Sequence, residues 1–302
     1  MPPSQLPRRD AEAIALSYVP GEGAVSIERL GSGLVNESYR VTRAGRRYSL
    51  RVALPAAEGL GLDRGWECRV LVRAVAAGIA PHIERCEPLE GILVARWVDG
   101  RSWTEHEVRE PANIRAMALL ARRIHGLSIP EAPRRMSPAD WVAYYREALG
   151  REDSQAAGHS DRPLRREIEK SLEVRGAALA ALPSMPSVLC HSDLHAANLV
   201  AGEGGLKLLD WEYAHVSEAF WDLAGWSCNN DLAEEDRRLL LSSYLGRTPR
   251  DEETERLEHL SWLYDYVCVL WSGLFAARGV NEARAVSARA RFLAERLEAE
   301  CL

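Results

Sequence analysis

Residues 190–210 read CHSDLHAANLVAGEGGLKLLD. The stretch sets Asp193, Asn198 and Asp210 in an order that suits one task, transfer of a phosphoryl group from ATP to an alcohol. In that chemistry an aspartate accepts or orients the substrate hydroxyl, while an asparagine and a second aspartate hold the metal ions that bridge the nucleotide phosphates. Asp193 takes the first role here, and Asn198 and Asp210 the second. The flanks agree with this. An apolar run, Val188 and Leu189, enters a polar loop, and a second run, Leu206, Leu208 and Leu209, follows a Gly-Gly turn and ends at Asp210. Two strands flanking a loop would bring the three side chains together. One such residue alone is ordinary turn chemistry, but three in order between strand-like flanks point to a site.

Composition narrows the class. A chain of 302 residues can hold one large domain or two lobes. With 47% hydrophobic and 27% charged residues it has the profile of a soluble globular protein. No apolar stretch reaches the roughly 20 residues needed to span a bilayer, and MPPSQLPRRDAEA at the N-terminus lacks the apolar core of a secretory signal. A cytoplasmic setting without a membrane partner is expected. Cys68, Cys86, Cys190, Cys228, Cys268 and Cys301 include no CxxC pair, which argues for reduced thiols and against a zinc site or a disulfide framework. A net charge of −6 argues against a nucleic-acid partner and is compatible with a cationic substrate.

Along the chain, residues 8–18 have helical spacing, and 25–30, 35–42 and 46–53 read as strands with Thr-Arg-Ala-Gly-Arg as a hairpin turn. Residues 63–77 are helical up to Gly78, and strands follow at 82–87 and 91–97. Beyond Gly100 the pattern is mostly helical: 111–125, 138–148, 164–181, 219–228, 234–245, 252–278 and 281–299. The polar segment 150–163 reads as a mobile loop. The result is α+β: a small lobe of residues 1–98, with a five-stranded antiparallel sheet that binds nucleotide, and a large, mostly helical lobe of residues 99–302 that holds the catalytic and acceptor-binding groups.

In the small lobe, Gly31, Ser32, Gly33 and Asn36 lie between two strands, where glycines let backbone N–H groups approach phosphate oxygens. Arg51, on the third strand, can pair with nucleotide phosphates, and Glu67 on the next helix is its natural ion-pair partner. His125, at the end of a helix, reads as a capping or packing side chain.

Taken together, Gly31 and Gly33, Arg51, Glu67, His191-Ser-Asp193 followed by Asn198, and Asp210-Trp-Glu212-Tyr-Ala resemble the choline kinase, thiamine kinase and aminoglycoside phosphotransferase superfamily. The likeness runs from about residue 25 to about residue 275 and is strongest in HSDLHAANLV and LLDWEYA. It implies a protein-kinase-like bilobal fold with ATP and magnesium as cofactors. It further implies that His191 supports the catalytic loop, that the backbone of residues 95–98 (Ala95 and Trp97 among them) binds adenine, and that Asp222 in FWDLAGW braces the loop. Protein kinases place a lysine where this chain has Arg51, and the choline kinase-like branch accommodates arginine there.

The acceptor is expected to be a small cationic alcohol of the thiamine or choline/ethanolamine type. Aromatic rings hold such cations by cation–π attraction, assisted by a carboxylate. Trp211, Tyr213, Tyr264 and Trp271 are the candidate rings, Glu212 the candidate carboxylate, and His195 resembles the thiamine kinase form of the loop. Where choline kinases often carry two tryptophans three residues apart, this chain has Cys268 and Trp271. An aminoglycoside phosphotransferase is the enzymatic alternative. A non-catalytic nucleotide-binding regulator is the alternative from another class, although Asp193, Asn198 and Asp210 are all present. Oligomeric state is not legible.

Overall fold

The computed structural model of the chain describes residues 8–32, 35–57, 59–155, 166–277 and 293–297, and divides it into two compact units. The first, Met1–Ser102 with Leu199–Tyr213, is built on one sheet. β1 (Val25–Ser32), β2 (Asn36–Arg43), β3 (Arg46–Ala53), β4 (Ile83–Glu87) and β5 (Ile92–Arg96) pair antiparallel in the order β1-β2-β3-β5-β4. Ala44 and Gly45 between β2 and β3 both take positive φ, 49° and 73°, as a two-residue hairpin turn requires. Alternation along β3 then assigns its two faces. Tyr48, Leu50 and Val52 join Tyr39 and Val41 of β2, Ile92 and Val94 of β5, and Ala11, Ala15 and Val19 from α1 (Arg8–Tyr18) and its end in one apolar core. Arg51 therefore lies on the opposite face.

α2 (Arg64–Ala76) starts at Asp63, whose carboxylate accepts the Trp66 N–H at 2.8 Å, and it closes with Gly78 at φ 69°. A disulfide joins Cys68 on α2 to Cys86 on β4, with Cα atoms 6.0 Å apart. This corrects the expectation of reduced thiols for that pair. The two cysteines are 18 residues apart and meet only because β4 packs beside α2. Cys190, Cys228 and Cys268 are free thiols.

The hairpin of β7 (Leu199–Gly202) and β8 (Gly205–Leu208) also belongs to this unit, whereas a contiguous large lobe would have included it. Leu208 N–H donates to the Ile79 carbonyl at 2.7 Å, and Arg101 and Ala201 exchange two backbone hydrogen bonds. Glycine is required at this crossing. A Cβ on Gly202 would meet the Asp99 carbonyl oxygen at 2.1 Å, and one on Gly100 the Ala201 oxygen at 2.4 Å.

The second unit, Trp103–Asn198 with Ala214–Leu302, is mostly helical among its described residues. α3 (Pro111–His125) opens on a proline and buries Ile114, Met117, Ala121 and Ile124 on one side. α4 (Pro138–Gln155) begins with a reciprocal cap, Ser137 N–H to Asp140 at 2.7 Å and Asp140 N–H to Ser137 Oγ at 3.2 Å. The helix continues to Gln155, so the first part of segment 150–163 is helix rather than loop; residues 156–163 lie outside the described residues. α5 (Arg166–Ala181) and β6 (Ser187–Cys190) follow. β6 pairs with β9 (His215–Glu218), a strand absent from the sequence reading because four residues carry no usable periodicity.

α6 (Phe220–Asn229), α7 (Glu234–Leu245) and α8 (Asp251–Ala277) complete the unit, with α4 and α6 packed on α8 and α3 on α7. By length and composition α8 could cross a membrane, yet 67% of its apolar window is buried, as in a core helix. Of the helix expected at 281–299, residues 293–297 are described and helical.

Candidate functional site

In the second unit, β6 delivers the chain into the loop that carries Asp193. Ser192 sits at φ 69°, a left-handed conformation that residues with a Cβ seldom adopt and that concentrates at functional positions. Asp222 holds this turn from α6, its carboxylate accepting His191 N–H at 2.9 Å and Ser192 N–H at 2.7 Å. His125 Nε2 lies 3.1 Å from the same carboxylate, and its Nδ1 lies 2.8 Å from the Tyr244 hydroxyl. Burial alone would raise the Asp222 carboxyl, but His125 and His191 outweigh it and hold the group below its ordinary range. Asp222 thus ties α6 to the turn at His191 and Ser192. His125, read as a capping or packing side chain, packs against that carboxylate.

Asp193 is held below its ordinary range in the same way. Burial pushes it up, while the hydrogen bond and charge of His195, the proximity of His191 and a bond from Asn198 more than compensate. His195 Nε2 lies 3.6 Å from Asp193 Oδ2, and His191 Nδ1 accepts the Asp193 N–H at 3.3 Å. Asn198 closes the short 3₁₀ turn Ala196–Asn198, and its Nδ2 donates to both the carbonyl and the carboxylate of Asp193 at 3.0 Å. With its nitrogen engaged, the oxygen is what the Asn198 amide has to offer a cation.

The first unit assembles a charge cluster on the face of β3 opposite its apolar core. Arg51 donates from Nη2 to both carboxylate oxygens of Glu67, at 2.5 and 2.6 Å, and from Nη1 to Asp210 at 2.5 Å. Arg64, in the first turn of α2, donates to Glu212 at 2.5 Å, to Glu67 at 3.2 Å and to the Asn36 side-chain oxygen at 2.8 Å, while the Asn36 amide nitrogen donates to Glu212 at 2.7 Å. Burial would lower the Arg51 guanidinium, but Glu67, Asp210 and Glu212 raise it well above its ordinary value, so it remains charged. Asp210 takes positive φ, 58°.

Hard oxygen donors of this kind fit a magnesium ion. Among the five charged side chains, two guanidiniums face three carboxylates, which leaves one negative charge in excess. Asp210 is the most exposed of the carboxylates, at 31% against 2% for Glu67 and Glu212. Within this cluster Asp210 is the carboxylate most open to an ion.

The remaining expected residues divide in the same way. Gly31 and Ser32 end β1 beside an irregularity in its pairing, and Gly33 lies outside the described residues. Ala95 is buried in β5, and the N–H groups of Arg96 and Trp97 donate to the His82 and Arg47 carbonyls. Trp211 is buried with its indole N–H on the Leu208 carbonyl at 3.1 Å, and Tyr213, half-buried, ends the first unit. Glu212, expected to meet an acceptor cation, is instead paired with Arg64 and Asn36.

Tyr264 lies against the loop that carries Asp193. Its ring faces Gly225, where a Cβ would come within 2.9 Å, and its hydroxyl accepts from Asn229 at 2.9 Å and reaches the Ser192 carbonyl at 3.5 Å. Trp271 is half-buried and stacks on Phe275 at 5.2 Å.

Four supports are absent from the sequence reading. Arg64 completes the charge cluster. Asn229 donates to the Leu194 carbonyl at 3.1 Å, Asn230 accepts the Ala196 N–H at 3.2 Å, and His215 lies 2.8 Å from the Ser192 hydroxyl. The only sequence signal was a paired asparagine at the end of a helical pattern, which reads as a cap.

Comparisons with known proteins bear on the family and the fold. A segment of 58 residues is 43% identical to a thiamine kinase of Escherichia coli strain SMS-3-5 and covers 19% of this chain and 20% of that one, so the match spans a fifth of the relative's length. A choline/ethanolamine kinase family protein from Mesorhizobium loti superposes with a TM-score of 0.76 at 23% identity, covering 96% of this chain and 93% of its own. A choline kinase from Streptococcus pneumoniae, also solved with AMP, superposes at 0.77 with 19% identity, covering 96% and 99%. Both share the α+β arrangement of a five-stranded antiparallel unit followed by a helical one. The model of the phosphotransferase enzyme family matches residues 26–260, most of the chain, and it is to this family that the protein belongs.

Proposed function

We propose that the protein is a magnesium-dependent small-molecule kinase that moves the γ-phosphoryl group of ATP to the hydroxyl of a small cationic alcohol, of the thiamine or choline/ethanolamine type. The observation that carries this reading is the Asp193–Asn198 pair. A carboxylate held ionised, on a loop fixed from several sides, is matched to orienting a hydroxyl and taking its proton. Bound magnesium would supply charge neutralisation at the phosphates through Asn198 and Asp210. Arg51, held charged by Glu67, would meet the same phosphates, with the backbone around Gly31, Ser32 and Gly33 covering them. The main chain of residues 95–98 would read adenine, and the AMP complex of the Streptococcus pneumoniae choline kinase supports a nucleotide as one substrate.

For the acceptor, aromatic faces already taken are informative. Arg134, Arg175 and Arg146 lie over the rings of Trp141, Trp262 and Tyr266 at 5.0, 5.2 and 5.7 Å. Trp271, half-buried and stacked on Phe275 through one face, is the ring proposed for a substrate cation in the second unit, with His195 of the same unit; Tyr213 is the candidate ring of the first unit. The reaction is proposed for the cytoplasm, where the Cys68–Cys86 pair would depart from the usual reduced state.

The test is magnesium-dependent ADP release from ATP with thiamine, choline, ethanolamine and several aminoglycosides. Stimulation by one of the first three supports the reading, and stimulation by an aminoglycoside alone replaces the acceptor class. ATP binding without release on any of them favours a nucleotide-binding regulator. Asp193→Asn is expected to lower the stimulated rate by about a thousandfold, the middle of the range for a single acid–base group, with ATP binding retained. An unchanged rate would remove Asp193 from the chemistry.

A further inference from the structure

We infer that His215, backed by Trp141, is a positioning residue for Asp193 and acts by fixing Ser192 in its left-handed conformation. This rests on the reading of Asp193 as the group that meets the substrate hydroxyl. The conformation of Ser192 costs on the order of 1 kcal/mol for a residue with a Cβ, so it persists only if the surroundings impose it. Its N–H donates to Asp222 at 2.7 Å, and its carbonyl lies 3.5 Å from the Tyr264 hydroxyl. Both are backbone bonds that any residue could make. The bond specific to serine is the third, between its hydroxyl oxygen and His215 Nδ1 at 2.8 Å.

The far side of the imidazole sets the direction of that bond. Trp141 Nε1 lies 3.2 Å from His215 Nε2. An indole N–H can only donate, so Nε2 must be the nitrogen without a proton. The neutral ring then carries its proton on Nδ1 and donates it to Ser192 Oγ. His215 and Ser192 are both buried, and Arg134 stacks over the outer face of Trp141 at 5.0 Å. α4, β9 and the catalytic loop are thereby joined in one directional chain from Trp141 through His215 to Ser192. Releasing Ser192 would let its φ relax and carry the Asp193 carboxylate away from its working position. Displacement of a reacting group by about 1 Å costs on the order of a hundredfold in rate.

The test compares His215→Leu, which keeps bulk, with His215→Asn, which keeps a donor near the position of Nδ1. ADP release from MgATP with thiamine, choline or ethanolamine gives kcat and KM, and hydrogen exchange over residues 189–199 reports loop order without reference to activity. His215→Leu should lower kcat by roughly tenfold or more with little change in KM for ATP, and speed exchange around Ser192, whereas His215→Asn should stay within about threefold of the parent. Ser192→Ala, small enough to fold at this site, should lose about as much as His215→Leu, and the double variant should lose no more than either single one.

Equal rates for the Asn and Leu variants, additive losses in the double variant, or an unchanged Ser192→Ala would overturn the inference. ADP release that survives Asp193→Asn would overturn the reading of the loop, and the positioning role with it. Loss in Asp193→Asn without loss in His215→Leu would overturn the positioning role alone.

Discussion

The two units hold their functional side chains by opposite means. In the first, Arg51 and Arg64 are set against Glu67, Asp210 and Glu212, and nearly every link joins full charges. In the second, Asp193 is placed by a loop whose backbone N–H groups end on Asp222, whose carbonyl at Leu194 is tied to Asn229, and whose serine faces a neutral imidazole. Charge acts over distance and tolerates an exchange of partners, which suits groups proposed to meet phosphates and a metal ion. Neutral hydrogen bonds are short-ranged and directional, which suits a carboxylate that must stand at one point. A cluster of charges fails when its balance is upset, and a directional clamp fails when one donor is lost.

The largest effect on stability should follow from upsetting that balance. Glu67→Gln leaves the buried Arg51 guanidinium facing a neutral amide in place of the carboxylate whose two oxygens it met. Removing one member of a buried pair costs about 3–5 kcal/mol, so denaturant melts should show a loss near the lower end, since Asp210 remains. The KM for ATP should rise with it. A melt within about 0.5 kcal/mol of the parent would mean that Arg51 relaxes to another partner and that the cluster is not a unit. Next in size is the disulfide that ties α2 to β4. Reduction by a dithiol, which takes up the bond as its own disulfide and leaves two thiols, should cost about 3 kcal/mol for a loop of this length. Because α2 carries both Glu67 and Arg64, the loss should come with a higher KM for ATP, while Cys68→Ser with Cys86→Ser should be insensitive to the reductant. If reduction alters stability but not that KM, the cluster does not depend on how α2 is held.

Much of this contrast was legible in the sequence, and the missing part has one cause. The Arg51–Glu67 pair could be read because strand alternation and the start of a helix are local facts, and the loop could be read because Asp193 and Asn198 are five residues apart in one segment. Asp210 was found at the end of an apolar run. Arg64, His215, Trp141 and Asn229 were not found, because each is defined by what it faces. A histidine in a four-residue strand gives no sign that a tryptophan on α4 will bond one of its nitrogens and a serine the other. The partners of Glu212 were missed for the same reason, since nothing near it in sequence announces Arg64. Cys68 and Cys86 share no spacing motif, and they meet only through the packing of α2 beside β4.

The smallest expected effect tests whether the second unit's clamp depends on its one charge. Asp222 has its carboxyl held below the ordinary range by His125 and His191 against the opposing effect of burial. A carboxylate whose value is lower in the folded chain than in the unfolded one contributes stability above its unfolded value, about 3.9, and loses that contribution as pH falls through the folded value. Asp222→Asn keeps an acceptor for one of the two backbone N–H groups and turns an amide N–H₂ toward the other, a loss of about 1–3 kcal/mol at neutral pH. Denaturant melts at pH 7, 5, 4 and 3 should therefore show the parent falling toward the variant, with the gap constant from pH 7 to 5 and narrowing below pH 4. A gap that stays the same down to pH 3 would show that Asp222 holds Ser192 by shape rather than by charge, and the contrast between the two units would then be complete.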